Sequence, residues 1–397
     1  MEMKQETLFS YDRTIDLMDK AGIDLLLVNT KTNVGYFTDY YSHFMNEDFF
    51  LDDGSAQYIS FAGLPKDKSR QAFFTPNSQD GEDLTAVDLW IRDLRFYGSY
   101  ADYSHLKKGD GTSWEIKHDN VIDCVVEAVS DRGLSKGTIG VELTRIPAGI
   151  FLSLNEKLPN AKFVDATDVL RQMRLIKTPE EIRRIEKAAV FSDTALREAF
   201  KNIREGMSEL ECEKILKLSV LNSGGDFIWE HVAFGPRSIS LPTERKINSG
   251  ETVRLDFGGG YKGYVCDTCR TKILGSPSKE QIRIYEAVLA TLKAVKREIS
   301  AGVKCSELYE AGNAMMKKHG YNLFLPTVGH GVGRDIHEIP FLTETNSTVL
   351  EAGMVFSAEI YLVNADWSIA VDLEDQVLVT DNGYRDFNFV DFNFEII

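Results

Sequence analysis

Two long apolar runs in the last third of the chain, MVFSAEIYLV and IAVDLEDQVLV, are each interrupted by a carboxylate: Glu359 in the first and Glu374 in the second. Short runs so rich in Val, Ile and Leu suit strands of a buried sheet. Glutamate is disfavoured in strands and is seldom buried without a partner, so each placement requires either a solvated strand edge or a compensating cation. For either Glu alone a solvated edge is the simpler explanation. Two of them in neighbouring runs of the same kind need an explanation of their own.

A second acidic pair lies upstream. The segment VRLDFGGGYKGYVCDTCRT reads as a β-hairpin: an apolar strand ending in Asp256, a turn region with Gly258, Gly259, Gly260 and Gly263, and a return strand carrying Asp267. A hairpin can bring such residues opposite one another, where two carboxylates repel unless a cation lies between them. An Asp beside a turn is in most chains only a turn residue, so neither is decisive alone. The stretch TVGHGVGRDIHEIP sets His330 between glycines, with His337 seven residues on. Two Asp, two Glu and one His supply the mixed oxygen and nitrogen donors that suit Mn, Fe, Co or Zn. Cys266 and Cys269 form a CxxC, but residues three apart on a strand point to opposite faces, so the two thiols should not converge, whereas Asp267 and Cys269 share a face. The run FGGGYKG lacks the order of a phosphate-binding loop, and a tight hairpin accounts for it.

At 397 residues the chain is long for one ordinary core, which predicts two domains. A helix over TIDLMDKAG followed by the strand IDLLLVNT opens an α/β pattern, continued by strands at AQYISFAG, RQAFFTP, LRFYGSY and GTIGVEL and a helix over NVIDCVVEAVSDRG. Residues 1–165 are expected to form this first domain and residues 166–397 the second. Thr178, Pro179, Glu180 and Glu181 form a capping box with Pro at the first helical position, which opens a long helix near that boundary. Helices over SELECEKILKLSVLNSGG and SKEQIRIYEAVLATLKAVKREISAG flank the strands of the second half, an α+β arrangement.

Composition narrows the function classes. A net charge of −16 opposes binding to nucleic-acid backbones or anionic membranes, both of which need basic surface. Five scattered cysteines do not resemble a disulfide framework, and no apolar run reaches the length of a membrane span or a signal-peptide core, so a cytoplasmic location is expected.

The ordered set of Asp256, Asp267, GHGVG with His330, HEIP, SAE with Glu359 and LEDQVLVTDNG with Glu374, preceded by the connecting segment LRQMRLIKTPEEIRRIEKAA, resembles the pita-bread metallohydrolases. That family includes methionine aminopeptidase, Xaa-Pro aminopeptidase, prolidase and creatinase, and the likeness spans nearly the whole chain. It implies an α/β creatinase-type N-terminal domain and a C-terminal pita-bread catalytic domain with a curved antiparallel sheet and flanking helices. It also implies two divalent metal ions held by Asp256, Asp267, His330, Glu359 and Glu374, with Asp267 and Glu374 bridging. A metal-bridging hydroxide would be the nucleophile, Glu359 the proton shuttle and His337 the oxyanion stabiliser beside the substrate. The implied reaction is hydrolysis of a C–N bond, by default in an Xaa-Pro dipeptide or short peptide, and the implied assembly is a homodimer.

Four positions depart from the resemblance. Thr243, in SLPTERK, stands where prolidase-like members carry a substrate-contacting His, so His231 in WEHVAFGPRS becomes a candidate substrate contact. Ile360 and Tyr361 follow Glu359 where the peptidases show Pro and Gly. Asp372 lies where prolidases carry an Arg, which suggests either a site for a cationic substrate group or a pair with a nearby Arg. These departures keep open an alternative on the same scaffold: a creatinase-like, ectoine-hydrolase-like or dimethylsulfoniopropionate-lyase-like enzyme acting on a small zwitterion. A non-catalytic binding module is a third reading, opposed by the retention of clustered carboxylates that cost a fold stability.

Overall fold

The computed structural model describes residues 7–42, 58–98, 116–236 and 240–396. Residues 1–6 of the charged N-terminus, and residues 56–57 and 99–100 at the ends of two expected strands, lie outside that set. The chain divides into two compact units, Met1–Arg174 and Leu175–Ile397.

In the first unit a mixed sheet has the order β4-β3-β2-β1-β7-β8, formed by β1 (Leu25–Val28), β2 (Phe61–Pro65), β3 (Phe73–Thr75), β4 (Asp93–Leu94), β7 (Thr138–Val141) and β8 (Lys162–Asp165). Two short strands, β5 (Phe96–Tyr97) and β6 (Ile116–His118), pair separately. Strand β1 is buried throughout, as its unbroken run of Leu and Val requires, and it pairs in parallel with β7 and antiparallel with β2. Helices α1 (Tyr11–Ala21), α2 (Lys31–Thr38) and α4 (Val121–Asp131) start at side-chain caps from Ser10, Thr30 and Asn120. The described residues also form α3 (Gly81–Thr85), α5 (Ala148–Lys157) and α6 (Thr167–Leu175).

The second unit is built on a ten-stranded sheet whose main path runs β11-β10-β12-β16-β15-β13-β14. Its strands are β9 (Asp226–Phe234), β10 (Thr252–Tyr261), β11 (Tyr264–Val265), β12 (Thr268–Leu274), β13 (Thr327–Gly331), β14 (Glu338–Thr343), β15 (Val355–Val363), β16 (Ala370–Thr380), β17 (Gly383–Asp386) and β18 (Glu395–Ile396). All its pairings are antiparallel except that of β18 with β12, and β9 extends the sheet beyond β10. This is an antiparallel sheet with flanking helices, as the resemblance implies for the second domain. Helices α7 (Pro179–Asn202) and α8 (Glu209–Asn222) pack with β9 and β10 around Leu196, Leu216, Val232 and Leu255. Helices α9 (Lys279–Glu298) and α10 (Cys305–Lys318) pack on β13, β15 and β16 around Leu292, Leu308, Phe356 and Leu373.

Each of α7, α8 and α9 begins with a reciprocal capping box, at Thr178/Glu181, Ser208/Glu211 and Ser278/Gln281. These boxes satisfy helix N-terminal donors that no intrahelical acceptor reaches. Among the described residues no helix is long and apolar enough to cross a membrane.

The hairpin differs from its sequence reading in two places. Gly258, Gly259 and Gly260 belong to β10 rather than to the turn, which is confined to Lys262 and Gly263, both at positive φ. The glycines are there because neighbours press on the strand: a Cβ on Gly258 would lie 2.1 Å from the Cys266 carbonyl oxygen. Asp267 sits not within a strand but in the two-residue break between β11 and β12.

Candidate metal centre

The register of the sheet lines up the acids. His231 on β9 faces Asp256 on β10, Asp256 faces Cys269 on β12, Cys269 faces Glu374 on β16, and Glu374 faces Glu359 on β15. Directly opposed residues share a face, so one row of side chains crosses five strands. Asp267 lies two residues before Cys269 and joins the row from the lead-in to β12. His330 on β13 faces Ser357, two residues before Glu359, which puts it on the same face by the period of a strand. Its flanking glycines permit this: a Cβ on Gly329 would lie 2.1 Å from the Ser357 carbonyl oxygen, and one on Gly331 would lie 2.3 Å from that of Ile339.

The five expected ligand residues therefore converge. Single donor atoms of Asp256, Asp267 and Glu374 lie within 4.8 Å of one another, as do those of His330, Glu359 and Glu374, and those of Asp267, His330 and His337. His330 Nε2 is 3.5 Å from Asp267 Oδ2 and 3.9 Å from Glu359 Oε2. Its Nδ1 lies 3.2 Å from the Gly331 carbonyl oxygen, and an N–H donated there leaves the Nε2 lone pair facing the carboxylates. His337 is exposed, with its ring set edge to face against His330 at 4.3 Å.

Adjacent residues on β16 show what the row lacks. Asp375, on the opposite face from Glu374, lies 2.5 Å from Arg270 Nη2 and 2.5 Å from Lys296 Nζ. Burial raises its pKa, but these two cations outweigh burial and hold it below the ordinary value. Glu374 meets no cation among the described residues: burial, then Asp267 and Glu359, push its pKa well above the usual range. Burial and the neighbouring acids raise Asp267 and Glu359 in the same way. Asp267 Oδ1 and Glu374 Oε1 are buried and make no hydrogen bond among the described residues. Orphaned acceptor oxygens among converging acids, beside a neutral imidazole whose pKa burial lowers to about 4, are a donor set that fits divalent cations.

Comparison with known proteins agrees with this geometry. The model of Metallopeptidase family M24 matches residues 183–381, and that of the Creatinase/Prolidase N-terminal domain matches residues 11–176. The chain belongs to metallopeptidase family M24. An Xaa-Pro dipeptidase of Pyrococcus furiosus is 34% identical over 256 residues, covering 62% of this chain and 72% of that protein. An uncharacterized peptidase of Bacillus subtilis is 30% identical over 381 residues, covering 93% and 95%. The solved Xaa-Pro dipeptidase of Bacillus anthracis superposes with a TM-score of 0.79 at 25% identity, over 97% of this chain and 98% of that one.

In this M24 metallopeptidase the remaining candidates fall into distinct places. The Cys266 thiol meets Asn388 Nδ2 at 3.6 Å while the Cys269 thiol faces the Asp372 carbonyl oxygen at 3.6 Å, so the two do not form a site together. The Thr243 amide and hydroxyl both donate to Glu209 Oε2, at 2.9 and 2.8 Å. His231 does reach the acidic row, with Nδ1 3.5 Å from Asp256 Oδ2 and its ring edge-on to Trp229. Asp372 is buried against Arg254, whose Nη1 lies 3.2 Å from Asp372 Oδ2 and 2.9 Å from Asp256 Oδ2. Arg254 is the residue the sequence reading missed. The signal was present, because Arg254 stands two positions before Asp256 in an apolar strand and so shares its face.

Proposed function

We propose that the chain is a dinuclear metal-dependent peptidase of the Xaa-Pro dipeptidase or aminopeptidase type, with Asp256, Asp267, His330, Glu359 and Glu374 as metal ligands. The observation that carries the reading is the convergence of four carboxylates and one imidazole on one face of the sheet, with orphaned oxygens on Asp267 and Glu374. Charge supports two cations rather than one. Arg254 and Asp372 cancel, and the four ligand carboxylates balance two divalent ions. The similarity to Xaa-Pro dipeptidases supports the substrate class.

Two divalent ions bound here would polarise a scissile carbonyl and make water nucleophilic near neutral pH. Glu359 keeps 17% of its side chain exposed, so it can meet both water and substrate, and it would carry a proton from the nucleophilic water to the leaving nitrogen. His337, whose exposed ring packs edge to face on His330, would donate to the oxyanion of the substrate. His231 would orient the substrate from the β9 side, in the role that Thr243, fixed to Glu209, does not fill. A cytoplasmic homodimer belongs to the same reading, with sedimentation of the purified chain as its test.

The zwitterion alternative drew part of its case from Asp372 as a free acid. The Arg254 contact supplies that acid with its cation, so the peptidase reading is preferred. The deciding experiment removes metal by chelation, restores Mn²⁺, and assays Xaa-Pro dipeptides beside small nitrogenous zwitterions. Turnover of zwitterions alone, or turnover that ignores chelation, contradicts the proposal.

A further inference from the structure

Beneath the ligand row the same face carries a second row, one strand period away. Arg254 on β10 faces Thr271 on β12, and Asp372 on β16 faces Tyr361 on β15. The Thr271 hydroxyl joins the halves, donating to the Asp372 carbonyl oxygen at 3.0 Å and accepting from the Asp372 amide at 2.9 Å. Arg254 and Asp372 are each 1% exposed. Donor atoms of Asp256, Cys269 and Asp372 form a further grouping within 4.8 Å, of the kind that holds a cation. A cation is already there: Arg254 Nη1 donates to Asp256 Oδ2 at 2.9 Å and to Asp372 Oδ2 at 3.2 Å.

We propose that Arg254 is a positioning residue built into the metal centre, which holds Asp256 by Oδ2 so that Oδ1 is presented to a metal, and which fills with its own guanidinium the place a third cation would take. The inference rests on the dinuclear reading above. A rigid ion pair explains why Asp256 can be pre-set although four acids repel around it. A guanidinium suits the task because its planar fork delivers two N–H bonds from one nitrogen in fixed directions, which an ammonium on a flexible stem does not. A guanidinium keeps its charge in a protein, so the two carboxylates it touches meet a permanent cation. The Arg254 charge also faces the Tyr361 ring, with Cζ 5.8 Å from the centroid. Asp372 is thereby occupied as a counter-charge, and neither a metal nor a cationic substrate group needs it.

A simpler role would be that Arg254 only neutralises Asp372. The double variant Arg254→Met/Asp372→Asn separates the two, because it removes one charge of each sign and leaves the net charge of the site unchanged. The full-length chain is stripped by chelation and titrated calorimetrically with Mn²⁺, with circular dichroism as the check on folding. If Arg254 positions Asp256, the double variant binds at least one Mn²⁺ roughly 10-fold or more weakly, as expected when a group that orients a ligand is lost. Wild-type affinity at both sites in the double variant overturns the positioning role. Arg254→Lys keeps the charge and decides the matter if the double variant does not fold. Weakened Mn²⁺ binding in Arg254→Lys supports the proposal, and unchanged binding overturns it. A wild-type chain that takes up no Mn²⁺ overturns the metal reading and this inference together, whereas wild-type uptake matched by the variants overturns Arg254's role alone.

Discussion

His231 Nδ1 lies 3.5 Å from Asp256 Oδ2, on the strand pair that forms one side of the acidic row. On the proposed reading a histidine so placed would contact substrate while touching the ligand Asp256 only from outside. His231→Ala is therefore expected to lower kcat/KM for Xaa-Pro dipeptides by roughly 10- to 100-fold, the range for a lost hydrogen bond to a charged group. The loss should fall mainly on KM, with bound metal measured by elemental analysis staying at the wild-type level. Loss of metal in step with activity would instead make His231 a ligand.

Asp267→Ala removes an acid that lies in two of the donor groupings. Metal binding and turnover should both be lost. The metal-free variant should be at least as stable as the metal-free wild type, because one raised, buried carboxylate no longer repels Asp256 and Glu359. Thermal unfolding in excess chelator makes the comparison, and a variant clearly less stable than the metal-free wild type would assign Asp267 a structural role.

Gly329 tests the sheet geometry that delivers His330. Its φ of +148° and the 2.1 Å approach of a Cβ to the Ser357 carbonyl oxygen make Gly329→Ala strained in both backbone and packing. A destabilisation of about 3 kcal/mol or more is expected in denaturant unfolding. Metal affinity should fall with it, because β13 cannot stay paired with β15 in the same register. A neutral Gly329→Ala would contradict the account of how His330 is placed.

Glu181 closes the capping box of α7, accepting from the Thr178 amide at 2.8 Å and from the Tyr264 hydroxyl at 3.1 Å. Burial, against these donors and Lys177, raises its pKa to about 7. A carboxyl whose folded pKa is raised binds its proton more tightly in the folded state. Its stabilising contribution is full below the ordinary carboxylate pKa near 4.5 and is lost as pH rises through about 7. Wild type should therefore lose stability relative to Glu181→Gln between pH 4.5 and 7, as followed by denaturant midpoints of both proteins at each pH. A difference between the two that does not change with pH would contradict the shift.

The parts of the centre legible in the sequence were those where one residue broke a local rule. Glu359 and Glu374 interrupt apolar strands, and His330 stands between glycines that the structure shows to be required by close backbone approach. What stayed hidden depended on register between distant strands. Nothing local says that His231 will face Asp256, or that Arg254 will meet Asp372, 118 residues away. Gly258 to Gly260 were misread as turn because glycine marks both a turn and a crowded strand, and it takes neighbours such as the Cys266 carbonyl oxygen and the Trp229 ring pressing on Gly258 to distinguish them. The sheets and helices themselves were readable where caps and apolar periods agreed, as at Thr178 and Ser278.

The measurement that bears most directly on the centre is Mn²⁺ titration of the chelated wild-type chain, with Xaa-Pro dipeptide hydrolysis followed at each addition. Two Mn²⁺ per chain, with hydrolysis appearing as the sites fill, is the predicted result. Hydrolysis in the chelated protein, or a chain that binds no Mn²⁺ while its fold is intact, would contradict the dinuclear peptidase.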